Sequence, residues 1–562
     1  MSGENPDLKP CRQSSEPSAN LDQRLCSRTS ADQSSLTKRL VSTSFSPILA
    51  SLGVTALLAA APELAIGQNL QPDDSAAARA GAIAHAQKMQ RLFPDVSGDT
   101  LATPPVIPQL EIDPDPSGAV ATFQPSGPTI TAKNAFFQDL GTNGRECFTC
   151  HQPGDGWSLS AQHARERFEA NPNDPLFRLI DGATCPSDDV STYRKKQKAY
   201  RLLLEKGLIR IGLQMPSGLE FQIIDVDDPY GCNTNATTGL TSSTTGFASV
   251  YRRPLPAANL GFLSTIMWDG RETSLFDQVI DATRIHAEGT AIPTPLQQQN
   301  IVNFEGCTNG LTPDLCGNTP ADAGVFTAQI FDDSGRYLFG DGANGGPISL
   351  SKQLAKFFIG VNDPLGQNPT GAPFTPEIFD LYSNWDSQHG HGPKTKRRQA
   401  IARGEELFNA TAINITGVAG LNDVLNQQVI QGVCGTCHDS PNVGNHSVKA
   451  PLNIGVANAG ADSPPALDIA GLPVFTIACT SGPLAGAMFE VTDPGRALIT
   501  GTCADIGKVK GPILRGLAAR APYFHNGSAA TLADVVEFYN QRFDIGFTDQ
   551  QKADLVAFLS SL

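Results

Sequence analysis

The pattern Cys-x-x-Cys-His occurs twice in this chain, within "ECFTCHQ" from Glu146 and within "GVCGTCH" from Gly432. In each copy the two cysteines can form thioether bonds to the edge of a porphyrin, and the adjacent histidine can then bind the iron. A zinc site also uses paired cysteines, but a histidine directly after the second cysteine, in both copies, favours haem. The sequence therefore predicts two covalently bound c-type haems, with the attachment residues Cys147, Cys150, Cys434 and Cys437 and the iron ligands His151 and His438.

Two distant attachment sites imply two haem domains, and 562 residues are also too many for one ordinary core. A helical pattern runs into the first motif, and "RQAIARGEELFN" predicts a helix before the second. The predicted fold is mainly α, with two cytochrome-c-like haem domains and a β-hairpin-containing insertion in the first. The predicted parts are a leader and signal peptide (1–67), a loose N-terminal extension (68–133), an N-terminal haem domain (134–395) and a C-terminal haem domain (396–562).

The predicted insertion covers residues from about 170 to 250. Its segment "GLIRIGLQMPSGLEFQIIDVDD", which starts at Gly207, alternates β-type residues around Pro-Ser-Gly, a pattern typical of a hairpin. Near the C-terminus, Thr548 and Gln551 form a capping-box pattern ahead of an apolar face. This pattern predicts a final α-helix.

The apolar segment "PILASLGVTALLAAAPELAIGQN" (Pro47–Asn69) is typical of an export signal, because basic residues precede it and small residues follow it. A periplasmic location is expected, and a membrane anchor through an uncleaved signal is the alternative. The net charge of −15 offers no basic surface for nucleic acid. An acidic surface suits either solubility or a basic electron-donor protein.

The cysteines outside the leader and the haem motifs predict disulfides, because an exported chain folds in an oxidising compartment. Pairing the nearest cysteines gives the bonds Cys185–Cys232, Cys307–Cys316 and Cys479–Cys503, one connectivity among several. Free buried thiols are the alternative.

Three further motifs resemble those of the bacterial di-haem cytochrome c peroxidase and MauG superfamily. They are "MWDGRE" (Met267–Glu272), "ARGEELF" ahead of the second haem motif, and "APYFHNGSAATLADVVEFY" (Ala521–Tyr539). The resemblance implies a peroxidase that uses hydrogen peroxide and a small electron-donor protein, with dimerisation typical of the family. MauG-like oxidation of an organic or protein substrate, and the reaction of a di-haem oxygenase, stay open.

The resemblance implies roles for residues around the first haem. Trp268 corresponds to an electron relay between the haems, although a packed core aromatic is the simpler explanation. Gln278 and Glu288 correspond to residues on the open face of the first haem, where a carboxylate can take a proton from peroxide and deliver it to the departing oxygen. Glu288 is thus the expected acid–base residue, and a surface acid is its alternative. His286 is the rival for this role or a ligand that closes the iron, and His163 is a second rival ligand.

For the second haem, the resemblance implies Tyr539 as an axial ligand. The peroxidases carry a methionine fourteen residues after the histidine that corresponds to His525, and the MauG-type enzymes carry a tyrosine there. A phenolate should lower the haem potential relative to methionine, and a core tyrosine is the structural alternative. Met488 and His446 are alternative ligands, while His525 is expected to be a hydrogen-bond partner near this haem.

The family also holds a calcium ion between its domains through an asparagine side chain and nearby backbone. In this chain an arginine of "YRRPLPAAN" stands at the asparagine-like position, and Arg520 replaces a threonine in the backbone segment. Arginine cannot bind a cation, which puts calcium in doubt. His389 and His391 could bind a metal, but an exposed loop is the better explanation.

These features together predict a periplasmic di-haem c-type peroxidase. Hydrogen peroxide would be reduced at the N-terminal haem, with electrons relayed through the C-terminal haem. A non-catalytic di-haem electron carrier is the main alternative, and it would have both irons closed by protein ligands.

Overall fold

The computed structural model describes residues 103–233, 247–307, 320, 323–333 and 335–562, which belong to one compact unit. The predicted leader and export segment lie outside the described residues. Within the described part of the chain, no helix is both long enough and apolar enough to cross a membrane.

The α-helices are short and are separated by long irregular segments. In chain order they are α1 (Ala161–Ala170), α2 (Tyr193–Ala199), α3 (Arg201–Lys206), α4 (Leu275–Ile285), α5 (Pro295–Glu305), α6 (Pro347–Ser351), α7 (Pro393–Ala410), α8 (Ala497–Thr500), α9 (Leu532–Arg542) and α10 (Asp549–Leu559). Helix α10 begins at the capping box of Thr548 and Gln551, so the predicted final helix is confirmed.

The strands form several small antiparallel sheets. They are β1 (Val106–Ile107), β2 (Leu110–Asp115), β3 (Gly118–Phe123), β4 (Thr129–Ile130), β5 (Ile209–Gln214), β6 (Phe221–Asp227), β7 (Phe247–Arg252), β8 (Phe326–Phe331), β9 (Ile413–Thr416), β10 (Val429–Gly432), β11 (Val474–Cys479) and β12 (Met488–Val491). The strand orders are β1–β4, β2–β3–β8, β5–β7, β9–β10 and β12–β11–β6. The prediction of a mainly α fold with one hairpin therefore understates the strand content.

The chain before the first haem motif is ordered where the structure describes it. Strands β2 and β3 pair with each other, and β3 also pairs with β8, which places Ala121 opposite Ala328. Both of these side chains are buried. The prediction of a loose extension over 68–133 is thus wrong for its described part, because its apolar residues find a partner strand about two hundred residues later.

The hairpin predicted in the insertion is not formed. Strand β5 pairs with β7, with Ile211 opposite Val250, whereas β6 pairs with β11, with Val226 opposite Phe475. Each strand therefore prefers a distant partner to its neighbour across the Pro-Ser-Gly turn. Because β11 lies in the predicted C-terminal domain, one sheet joins the insertion to that domain, and the predicted domain boundaries stay a prediction.

Two of the predicted disulfides are formed. Cys185 is bonded to Cys232 and Cys479 to Cys503, with Cα atoms 5.5 and 6.1 Å apart. The third predicted pair includes Cys316, which lies outside the described residues. Among the described cysteines, those with free thiols are the four of the haem motifs.

Helices α7 and α10 approach each other most closely at Gly404. A Cβ atom there would overlap the carbonyl oxygen of Asp554 and lie 2.6 Å from Cβ of Phe558. Arg403 also forms an ion pair with Asp554, with an N–O distance of 2.8 Å. The absence of a side chain at residue 404 therefore sets the distance between the two helices.

We expect Gly404→Ala to lower the thermal unfolding midpoint, because overpacking a close helix contact costs about 1–3 kcal/mol. Circular dichroism of the haem-loaded protein measures the midpoint. Gly392→Ala is the matched control, since Gly392 precedes the same helix and a Cβ atom there has nothing within 4 Å. Equal midpoints for the two variants would contradict the expectation.

Candidate functional site

The two Cys-x-x-Cys-His segments fold in the same way. A 3-10 turn covers Cys147–Thr149 in the first segment and Cys434–Thr436 in the second. In each turn the threonine hydroxyl accepts a hydrogen bond from the backbone N–H that precedes the first cysteine, at 3.1 and 2.9 Å respectively. Each turn therefore presents both cysteines and the following histidine in the same arrangement.

The histidine of each motif is held through its Nδ1 atom. His151 Nδ1 lies 2.9 Å from the carbonyl oxygen of Trp157, and His438 Nδ1 lies 2.9 Å from that of Gly444. Because a carbonyl only accepts, Nδ1 carries the proton and Nε2 keeps its lone pair. Burial lowers the pKa of His151 to about 4 and also lowers that of His438. Both imidazoles are thus neutral and oriented as iron ligands.

Each motif lines a largely apolar cavity, and the two cavities are similar in size. The walls of the first include Cys147, Cys150, His151, Trp268, Gln278, His286 and Glu305. The walls of the second include Trp268, Cys434, Cys437, His438, His446, His525 and Tyr539. Free cysteine pairs, neutral imidazoles and two similar apolar cavities fit two copies of one large flat group, which is the chemistry of c-type haem.

His286, and not Glu288, lines the first cavity. His286 Nδ1 lies 2.7 Å from Asp181 Oδ2, and Asp181 also forms an ion pair with Arg145. The Glu288 carboxylate instead accepts a hydrogen bond from Asn143 at 3.1 Å. Glu288 lies three residues beyond the end of helix α4 and does not line the cavity, so its position does not match its predicted acid–base role.

Two of the alternative ligands lie away from the cavities. His163, on α1, pairs with Asp155 at 2.9 Å and does not line the first cavity. Met488, on β12, is 55% exposed and does not line the second. His446 does line the second cavity, with Nδ1 bonded to the Val448 carbonyl oxygen at 2.8 Å.

The first cavity contains a buried acid that the sequence reasoning missed. Glu305 ends helix α5, and its Oε2 atom has no hydrogen-bond partner among the described residues. Burial raises the pKa of Glu305 to about 8, so the side chain is a neutral carboxylic acid at pH 7. The Gln278 amide oxygen in the same cavity is also buried without a described partner. A single acid after the apolar run "IVNF" was the only signal for Glu305 in the sequence.

Trp268 lies in the wall shared by both cavities. Its indole N–H donates to the Arg253 carbonyl oxygen at 2.8 Å. The ring packs edge-on against the His525 imidazole, with ring centroids 6.1 Å apart. The structure thus brings Trp268 and His525 together between the two haem motifs.

A buried ion network fixes the segment that carries Trp268. The Arg252 guanidinium donates to Asp269, the residue after Trp268, and to Asp493, with 2.6 Å between its Nε and Oδ2 of Asp493. These three charged side chains are at most 2% exposed. Burial alone would raise the pKa of both carboxyl groups, but the Arg252 charge holds each below its usual range.

Tyr539 faces the second haem motif from helix α9. This helix begins at the Thr531–Asp534 capping box, and Tyr539 lines the same cavity as Cys434 and Cys437. Burial raises the pKa of the phenol. Among the described residues its hydroxyl has no hydrogen-bond partner, so the oxygen is free to meet a group in the cavity.

The metal-binding alternative for His389 and His391 finds no support in their surroundings. Both residues are exposed. Among the described residues, no group of three or more histidine, cysteine, aspartate or glutamate side chains is arranged to hold a metal ion.

No protein-family model matches the chain, but local sequence similarity to curated proteins is clear. A cytochrome-c peroxidase of Denitromonas iodatirespirans is 35% identical over 141 residues, which cover 24% of this chain and 36% of that protein. The cytochrome c551 peroxidase of Nitrosomonas europaea is 29% identical over 151 residues, with 25% and 36% coverage. The chain thus spans about a third of the length of these relatives. This similarity confirms the resemblance to the di-haem cytochrome c peroxidases that the motifs predicted.

Two solved structures have low structural similarity to this chain. A MauG-like protein associated with microbial copper homeostasis has 15% identity and a TM-score of 0.32, covering 76% of this chain and 86% of that chain. A variant diheme peroxidase from Burkholderia thailandensis has 14% identity and a TM-score of 0.27, covering 82% and 95%. TM-scores this low carry no argument about this chain.

Proposed function

We propose that this chain is a di-haem c-type peroxidase that reduces hydrogen peroxide at the first haem site and supplies electrons from the second. The observation that carries the proposal is the unequal set of polar groups in the two cavities. The first contains an Asp181–His286 pair, the neutral acid Glu305 and the Gln278 amide. The second contains the phenol of Tyr539 and the imidazoles of His446 and His525, and no carboxylate lines it. Carboxyl groups that can hold and move protons therefore line the first cavity and not the second.

Reduction of one peroxide molecule to two water molecules consumes two protons and two electrons. The haem supplies the electron chemistry when it is bound, so the protein must supply the protons. His286 is held through Nδ1 by Asp181, which leaves Nε2 free to accept a proton from peroxide and return it to the departing oxygen. Glu305, neutral at pH 7, can donate one of the two protons that the reduction consumes, and solvent supplies the other, because the proton moved by His286 is peroxide's own. Gln278 can orient peroxide by hydrogen bonding.

The electron route of the proposal runs through Trp268, because this indole is part of the wall of both cavities. An oxidisable ring in that position divides one long electron transfer into two shorter ones. Its N–H bond to a backbone carbonyl and the neighbouring Arg252 network keep the ring in place. Trp268 is accordingly assigned the relay role that the resemblance implies.

We propose that Tyr539 would bind the iron of the C-terminal haem, because it lines the same cavity as His438. An anionic oxygen ligand favours the oxidised iron and lowers its potential relative to methionine. A tyrosine ligand in place of methionine favours MauG-like oxidation of an organic or protein substrate. A small electron-donor protein is the alternative partner. The two disulfides are typical of a protein that folds in an oxidising compartment, which supports export to the periplasm.

The position of His286 also favours a second candidate function. An imidazole that lines the first cavity together with His151 could itself bind the iron. Both irons would then be closed, and the chain would be a di-haem electron carrier. The two functions differ in what His286 does, so substitution of this residue separates them.

We expect His286→Gln to lower kcat for peroxide reduction about 100-fold or more, because it removes the proton-transfer group. Steady-state assays with a small reducing dye measure the change, and a haemochrome assay confirms that both haems are attached. Glu288→Gln is the matched control, and its kcat should stay within a few-fold of the parent. If His286→Gln instead creates or increases peroxide reactivity, His286 closes the iron and the electron-carrier function is correct.

We expect peroxidase activity to fall as the pH rises above about 8, because Glu305 then loses the proton that it donates. Below that pH the acid is protonated and competent. The pH profile of kcat measures the effect, and Glu305→Gln should lower kcat and remove the alkaline limb. A Glu305→Gln variant that keeps both the parental kcat and the alkaline limb would exclude Glu305 from proton delivery.

A further inference from the structure

Three cationic side chains are buried where the two cavities meet. Lys510 and Arg253 line both cavities, and Arg520 lines the second. Their exposed fractions are 3%, 5% and 7%. Within the described part of the chain, none of the three forms an ion pair with a carboxylate. The junction of the cavities therefore carries positive charge that the protein itself does not neutralise.

The two arginines use their donors on backbone carbonyls. Arg253 Nη2 donates to the carbonyl oxygens of Leu159 and Arg520, at 2.7 and 2.8 Å. Arg520 Nε donates to the Gly516 carbonyl oxygen at 3.3 Å. These bonds fix both side chains. They do not cancel the net charge, because carbonyls are neutral.

The charge of the Lys510 ammonium group has fewer polar partners than the charges of the two arginines. Its backbone N–H donates to the Trp268 carbonyl oxygen at 2.8 Å, but its ammonium group has no hydrogen bond or ion pair among the described residues. Burial and the Arg520 charge lower its pKa to about 7. The carboxylate whose charge acts on Arg253 is Asp155, and this side chain is already paired with His163. A buried charge without a counter-charge is strongly unfavourable, and an anionic group in the cavities at this point would compensate it.

A haem carries two carboxylates on one edge of an otherwise apolar ring, and this is the anion that the cavities can take. We propose that Lys510, supported by Arg253 and Arg520, binds haem carboxylates at the junction of both cavities and acts as a built-in cation shared by the two haems. The proposal rests on haem in both cavities, but not on the reaction with peroxide. It predicts one side chain whose charge acts on both haems.

The same cluster does not fit a calcium site between the domains. The segment "YRRPLPAAN" and Arg520 are the two places where the chain departs from the calcium-binding pattern of the family that it resembles. The structure brings these departures together, because Arg253 bonds directly to the Arg520 backbone. Calcium requires a set of oxygen ligands, and two fixed guanidinium groups would repel it. The ammonium group of Lys510 takes its place.

Reduction potentials test the proposal, since a nearby cation stabilises the reduced form of a haem. Spectroelectrochemical titration of the haem-loaded protein should show that Lys510→Met lowers the potentials of both haems. Lys510→Arg, which keeps the charge, should restore them towards the parental values. Lys508→Met is the matched control, because Lys508 lies two residues away, pairs with Asp505 at 3.1 Å and lines neither cavity.

Unchanged potentials in Lys510→Met, or an equal fall in Lys508→Met, would overturn the proposal. A chelator experiment on the parent protein gives a second test that needs no variant. Removal of calcium should leave both potentials unchanged, and a fall that added calcium reverses would also overturn it. Neither experiment uses peroxide, so a protein that fails as a peroxidase can still bind its haems through Lys510.

Discussion

The buried pairing of Arg252 with Asp269 and Asp493 is the interaction on which both candidate sites depend. Arg252 ends strand β7, Asp269 follows Trp268, and Asp493 comes from the C-terminal part of the chain. Removal of one partner from such a buried network costs about 3–5 kcal/mol, because it leaves a charge without compensation. The network therefore fixes Trp268 in the wall between the cavities, whatever occupies them.

The same region joins segments that are far apart in sequence. Strand β6 of the predicted insertion forms a sheet with β11 and β12, so the two haem motifs lie in a continuous structure and not in separate bodies. Because the two cavities share one wall, different reactions can take place on its two sides. One cavity is lined by carboxyl groups that can hold protons, whereas the other is lined by a phenol and two imidazoles but by no carboxylate. Between them lie an oxidisable indole and uncompensated positive charge.

Local pattern was sufficient for features that depend on neighbouring residues. The haem motifs, two short-range disulfides and the C-terminal helix are of this kind. Local pattern could not predict which strands pair, because the partner of β6 lies about 250 residues away. Counting residues from Trp268 pointed to Glu288, but helix α4 ends earlier and its end brings His286 to the cavity. Glu305 and Lys510 gain their significance from burial, which appears only once the chain is folded.

The central proposal is that the first site reduces peroxide and the second supplies electrons. Electron paramagnetic resonance of the fully oxidised, haem-loaded protein, recorded before and after the addition of peroxide, tests it most directly. We expect one high-spin and one low-spin ferric signal, because in the proposal the first iron keeps an open position and Tyr539 would bind the second. Both signals should disappear when peroxide is added. Two low-spin signals that peroxide leaves unchanged, even after half-reduction, would contradict the proposed peroxidase and leave an electron carrier.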